Sequence, residues 1–213
     1  MGKHRLARLN RGLLLGAVLF LGTVVWLITD GISFRKEIPS IEQVVREYVE
    51  QSPQMAILPS PYNRAGSPAD SAAIQQKQAE NEAFLRRYWS FSAGKDGYNQ
   101  SEILLRQIQD AVEYNGAGGG SILSARGIVQ SVRSIRKTGW NRAEVSFSYT
   151  GAIRCTGDVR WVLFGVGPAD AQARSRSGGE RRLAPSGEIT AVLVKTGGQW
   201  RFDRVEVSSM YGS

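Results

Sequence analysis

Few side chains in this 213-residue chain could do chemistry. The only histidine is His4 and the only cysteine is Cys155. Beyond residue 33 there is thus no Ser-His-Asp or Cys-His arrangement, no histidine-based zinc site and no imidazole base. A reaction would have to run on carboxylates and tyrosines, as an aspartate base beside a tyrosine donor in an apolar pocket can do. The candidates are Asp110, Tyr88, Tyr114 and Tyr149, with Trp89 beside Tyr88. No spacing singles one of them out, and Tyr88 and Tyr149 read equally well as core residues with satisfied hydroxyls. The glycine run from Gly116 to Gly120 follows a helical pattern instead of opening one, and no Lys-Ser/Thr comes after it, so it does not read as a phosphate loop. The expectation is a non-catalytic chain that needs no cofactor or metal.

Binding chemistry has one dense cluster. Arg174, Arg176, Arg181 and Arg182 fall in the stretch 168–187, read as a long loop. Four guanidinium groups there could grip an anionic surface, and a solvated loop is the plainer reading. The charge is unevenly spread. Residues 34–120 carry nine Lys/Arg against eleven Asp/Glu, whereas residues 121–213 carry fourteen against seven. Nucleic acid is disfavoured by the absence of an aromatic-rich basic platform.

These groups must be positioned by elements that begin with an apolar stretch. Gly12 to Thr29 runs eighteen residues without a charge, which as a helix spans roughly 27 Å, close to the hydrocarbon thickness of a bilayer. Lys3, Arg5, Arg8 and Arg11 precede it, while Asp30, Arg35, Lys36 and Glu37 after it nearly cancel. That asymmetry keeps the N-terminus in the cytoplasm and sends the rest across the inner or plasma membrane. A cleavable signal is the rival, with Gly31 and Ser33 as small residues before a cut at Phe34. The length of the apolar run and Trp26 near its outer end favour retention. The organisation read is a basic tail (1–11), an anchor (12–32), a connector (33–39), an extracytoplasmic domain (40–207) and a short tail (208–213).

Within the domain, Ser40 and Gln43 have capping-box spacing, and Ile41, Val44, Val45, Tyr48 and Val49 make one helical face. Prolines 53, 59, 61 and 68 mark a loop whose apolar run at 55–58 tucks against the domain. A second helix is expected from Ser71 to about Trp89. A third is expected behind Asn99, with Glu102 completing another capping-box spacing and Leu104 or Leu105, Ile108, Ala111 and Val112 facing inward. The period then changes to two. Residues 122–137 read as a strand that also fits a helix, Trp140 lies in a hairpin turn, and Val145, Phe147 and Tyr149 alternate with polar residues. The same parity turns Ile153 and Cys155 inward, so Cys155 reads as a small buried apolar residue. Further strands are expected at 158–166, 188–195 and 199–207, the last with a β-bulge near Asp203 and Arg204.

Three helices followed by antiparallel strands describe an α+β chain: three helices packed on a curved sheet of four to five strands behind a transmembrane helix. The helix end at Ala83–Trp89, the hairpin around Trp140 and the hairpin at Ile189–Val207 resemble the nuclear transport factor 2-like (cystatin-like) superfamily over roughly residues 40–207. No short strand is legible between the second and third helices, where such folds often have one. The resemblance implies either a pocketed enzyme or ligand binder, or a membrane-anchored scaffold of the kind found in secretion and conjugation complexes. Fold analogy does not choose between them.

The strands at 158–166 and 188–195 have apolar residues on both parities. Only one side can face the helices, so Val162, Phe164, Val166, Val192 and Val194 are expected to form an outer sheet face covered by a second copy or a protein partner, with a folded-back loop from 53–69 or 168–187 as the plainer cover.

Overall fold

The computed structural model describes residues 11–64, 66–92, 99–164, 172–173 and 179–211, with side chains masked at 11–14, 172–173 and 209–211. The chain divides into two compact units, Met1–Pro39 and Ser40–Ser213. The first contains most of α1, which is assigned over Arg11–Gln51 with Pro39 inside it. Residues 33–39, expected as a connector, are helical. Ser40 therefore does not cap a new helix, and Gln43 donates to Glu47 instead. In the first unit Leu15, Leu19, Phe20 and Leu21 are all more than 60% exposed. The hydroxyls of Thr23 and Thr29 donate back to the Leu19 and Val25 carbonyls at 2.9 and 3.0 Å, so both are paired within the helix. By length and composition α1 can cross a membrane.

The second unit is α+β. The C-terminal part of α1 runs into a 3₁₀ turn, Ser52–Ala56, and is followed by α2 (Ser71–Tyr88) and α3 (Gln100–Gly116). Met55, Ala56 and Leu58 are buried, as the apolar run required. Asp70 caps α2, accepting from the Ala73 N–H at 2.7 Å and from the Tyr62 hydroxyl at 2.7 Å. Those bonds hold its carboxyl below the ordinary value. The second capping box is not made. The Asn99 side chain instead donates to Glu102 and to the Phe91 carbonyl.

The strands are β1 (Gly120–Gly139), β2 (Arg142–Gly157), β3 (Val159–Arg160), β4 (Gln172–Ala173), β5 (Glu180–Leu183), β6 (Ser186–Thr196) and β7 (Gln199–Tyr211). An open antiparallel sheet runs β1-β2-β6-β7, with β5 pairing the far half of β2. Residues 122–137 are thus strand throughout. The bulge is at Asp203, which has no partner between the pairs Leu193–Phe202 and Val192–Arg204. It brings Trp200, Phe202 and Val205 to one buried face. Trp89 makes an isolated parallel bridge to Phe202, and the Ser90 N–H donates to the Phe202 carbonyl at 2.7 Å. This bridge is the short pairing that the sequence left illegible.

Two further expectations fail. Among its described residues, the strand expected at 158–166 pairs only at Val159–Arg160. Trp161, Val162, Leu163 and Phe164 leave the ladder as a strap, and all four are buried. The stretch 168–187, expected as a loop, contains β5 and the start of β6.

Three amides fasten α2 and α3 to the backbone of other elements. Asn81 donates to the Met55 carbonyl at 2.8 Å. Gln100 clasps the bulged strand, accepting from the Val205 N–H at 2.7 Å and donating to its carbonyl at 3.1 Å. Asn115 donates to the carbonyls of Ala56 (3.1 Å) and Arg160 (2.9 Å) and accepts from the Arg160 N–H (2.9 Å). Asn115 is 2% exposed, so replacing it with alanine strands the buried Ala56 carbonyl and the part-buried N–H and carbonyl of Arg160. Asn115→Ala is expected to cost about 3 kcal/mol, measured by urea unfolding. Asn115→Asp should recover only the bond from the Arg160 N–H.

Candidate functional site

The inner face of the sheet could have housed a pocket, and aromatic rings occupy it. Tyr48 on α1 sits at the centre, its ring centroid 4.9–5.9 Å from those of Phe84, Tyr88, Trp89, Phe164 and Phe202. Its hydroxyl donates to the Leu163 carbonyl at 2.8 Å, which ties the strap to the helix. Phe164 reaches the sheet from the other side, 6.1 Å from Phe147 and 5.6 Å from Tyr149. Such offset and tilted pairs are the favoured arrangements for packed rings.

The four pocket candidates are placed differently. Tyr88, Trp89 and Tyr149 are buried in this aromatic cluster. Asp110 is not. It lies exposed on α3, one residue before the apolar stripe resumes at Ala111 and Val112, so no carboxylate from this position enters the interior. The Tyr88 hydroxyl donates to Glu47 at 3.0 Å. Burial first, and that bond second, push its pKa up, so the phenol stays protonated. Tyr114 carries the Arg160 guanidinium 4.2 Å above its ring. Cys155 is buried and free, with its thiol pKa pushed up by burial against an opposing pull from Arg181. Among the described residues no group of three His, Cys, Asp or Glu could hold a metal ion.

The outer face is polar. Arg133 crosses from β1 to make two bonds with Glu188 on β6, one of them 2.8 Å. Arg136 pairs with Glu144, Arg142 with Asp203 at 2.5 Å, and Arg154 with Glu180 through bonds of 2.8 and 2.9 Å. A shallow depression of 290 Å³ lies beside the first pair, lined by Ser134, Ser146, Thr190 and Ser208 among others. Val192 and Val194 are half-buried on this face.

The expected outer apolar face is therefore corrected in part. Val162 and Phe164 are 5% and 1% exposed and belong to the interior, because the strap folds across the inner face of the sheet. Val166, Arg174 and Arg176 lie outside the described residues. Arg181 and Arg182 are on β5, opposite Cys155 and Arg154, with Arg181 half-buried and Arg182 exposed.

Fold and surface together define a class: an α+β domain with helices on one side of an open five-stranded antiparallel sheet. No family model matches the chain, and no curated protein does. Solved structures similar to it include a nuclear transport factor 2-like superfamily protein from Salmonella enterica serovar Typhimurium, at 15% identity over 66% of this chain and 93% of that one, with TM-score 0.32. Another is a hexachlorocyclohexane dehydrochlorinase from Novosphingobium barchaimii, at 10% identity over 87% and 93%, TM-score 0.35. A third is a putative calcium/calmodulin-dependent protein kinase II association domain from Xanthomonas campestris, at 13% over 70% and 94%, TM-score 0.30. At these identities and scores no activity carries over to this chain.

Proposed function

We propose that this chain is a single-pass, membrane-anchored and non-catalytic assembly domain, held outside the cytoplasm by α1. The observation that carries the reading is the interior: the space between helices and sheet is occupied by the chain's own strap, with Phe164 packed among Tyr48, Phe147, Tyr149 and Phe202. The only carboxylate among the pocket candidates, Asp110, faces solvent. A pocketed isomerase or dehydratase would instead need an apolar cavity with an isolated acid in it. The apolar, exposed helix and the four basic residues ahead of it support anchoring with the N-terminus in the cytoplasm. Partner contacts in this reading use the outer face around Val192 and Val194, where arginine stems flank the valines.

Topology tests the reading. Protease added to spheroplasts expressing the full chain should digest the region beyond residue 33 and leave the N-terminal tail protected. Protection of the domain with loss of the N-terminus would overturn it.

A further inference from the structure

The largest exposed side chain on the domain is Trp140, 80% exposed. It lies in the turn between β1 and β2, the longest strands of the sheet. This turn is built against the neighbouring one. The Lys195 N–H donates to the Asn141 carbonyl at 2.8 Å, and the Asn141 side chain donates to the Lys195 carbonyl at 3.3 Å. The second turn, between β6 and β7, is made tight by Gly197 and Gly198, both at positive φ. Residues 138–142 and 196–199 are all exposed, so the joined tips form one protrusion. Lys137 holds its ammonium 5.7 Å from the Trp140 ring centroid, and Lys195 lies 5.9 Å from that of Trp200. Around the tips Arg136, Lys137, Arg142, Lys195 and Arg201 outnumber Glu144 and Asp203. Packing does not require Trp140 here, because its ring is almost wholly in water.

From this juxtaposition we infer that the paired hairpin tips dock on an anionic phospholipid surface, with the Trp140 indole entering the headgroup layer and the flanking lysines meeting lipid phosphates. Charge complementarity selects lipid: a basic protrusion is attracted to a negative leaflet, each Lys or Arg near the surface raising affinity about fivefold. Shape argues the same way. A specific protein interface needs about 800 Å² per partner, which a narrow convex tip supplies poorly, whereas a headgroup layer yields around a single indole. Tryptophan is the side chain enriched at that depth, with an apolar ring and one polar N–H. The Arg-rich stretch 174–182 plays no part, and the inference does not depend on the anchor.

The test uses the full chain carried in phosphatidylcholine nanodiscs and added to separate vesicles. If the chain does not enter discs it is used free, so failure of the anchor reading and failure of the tip are separate results. Vesicles of 30% phosphatidylglycerol in phosphatidylcholine should bind it and shift Trp140 emission to the blue, with the Trp140→Phe variant supplying the difference spectrum. Pure phosphatidylcholine vesicles should bind little. Trp140→Ala should weaken binding about tenfold, and Lys137→Gln with Lys195→Gln about twenty-fivefold, with affinity falling as salt rises. All these residues are at the surface, so an unchanged circular dichroism spectrum is required of each variant. Unaltered binding by Trp140→Ala, or emission indifferent to anionic vesicles, would overturn the inference and leave the exposed ring to a protein partner.

Discussion

Replacing Gly127 with alanine should unfold the domain or destabilise it by about 4 kcal/mol or more. Gly127 lies on β1 where that strand passes the end of α1. A Cβ built there would sit 2.0 Å from the Val49 carbonyl oxygen and 2.9 Å from its carbon. Both contacts are to backbone, so no rotamer change relieves them. Val49 belongs to the last turn of α1, where carbonyls have no partner further along the helix. The close approach lets the strand backbone cover that carbonyl, and only a residue without a side chain permits it. Gly119→Ala is the control, since its Cβ would meet nothing within 4 Å and should move stability by less than about 0.5 kcal/mol. Urea unfolding of both variants, followed by near-ultraviolet circular dichroism, gives the comparison. Equal stability of the two would mean that helix and strand are not in contact at Gly127.

What was legible in the sequence followed periodicity. The alternation through Val145, Phe147 and Tyr149 placed Cys155 inward correctly, and the parity break after Phe202 located the bulge at Asp203. The strap resisted because its pattern is not a strand pattern. Trp161 to Phe164 is apolar on both parities since the segment has left the ladder and all four residues are buried. Reading it as a two-faced strand created an outer apolar face that the fold does not have at Val162 and Phe164. β5 was hidden by composition: Glu180–Leu183 reads as charged loop, and its pairing to β2 fixes Arg154 against Glu180. The sequence reads as a connector over 33–39 with a new helix opening at Ser40, yet Pro39 removes one donor without ending the helix here. The three fastening amides did leave a signal. Asn81 precedes Leu85 and Tyr88 by four and seven residues, Gln100 precedes Leu104 and Ile108 by four and eight, and Asn115 follows Ile108 and Ala111 by seven and four. Each is a polar residue in an apolar stripe, a position that a buried amide occupies when it has backbone groups to satisfy. Trp140 reads as part of a hairpin turn, but its exposure depends on the neighbouring tip and is not legible from one hairpin alone.

Phe164→Ala should cost about 4 kcal/mol and open the interior. The ring is 1% exposed and stands between elements that touch only partly without it: Tyr48 on α1 at 5.5 Å, Tyr149 on β2 at 5.6 Å and Phe202 on β7 at 6.4 Å. Removing it deletes the transfer energy of a phenyl group and leaves a space on the order of 100 Å³ lined by rings, which cannot collapse while the Tyr48 hydroxyl still holds the Leu163 carbonyl. A dry apolar cavity of that kind takes up small hydrocarbons. Benzene at saturation should therefore raise the unfolding midpoint of Phe164→Ala and leave that of the native chain unchanged, since ligand binding to the folded state stabilises it by mass action. Phe164→Leu should lose about half as much stability and bind benzene weakly. The outcome bears directly on the choice between a filled assembly domain and a pocketed ligand binder. A native chain already stabilised by benzene would mean that the strap leaves room beside Phe164, and the assembly reading would give way to the ligand-binding one.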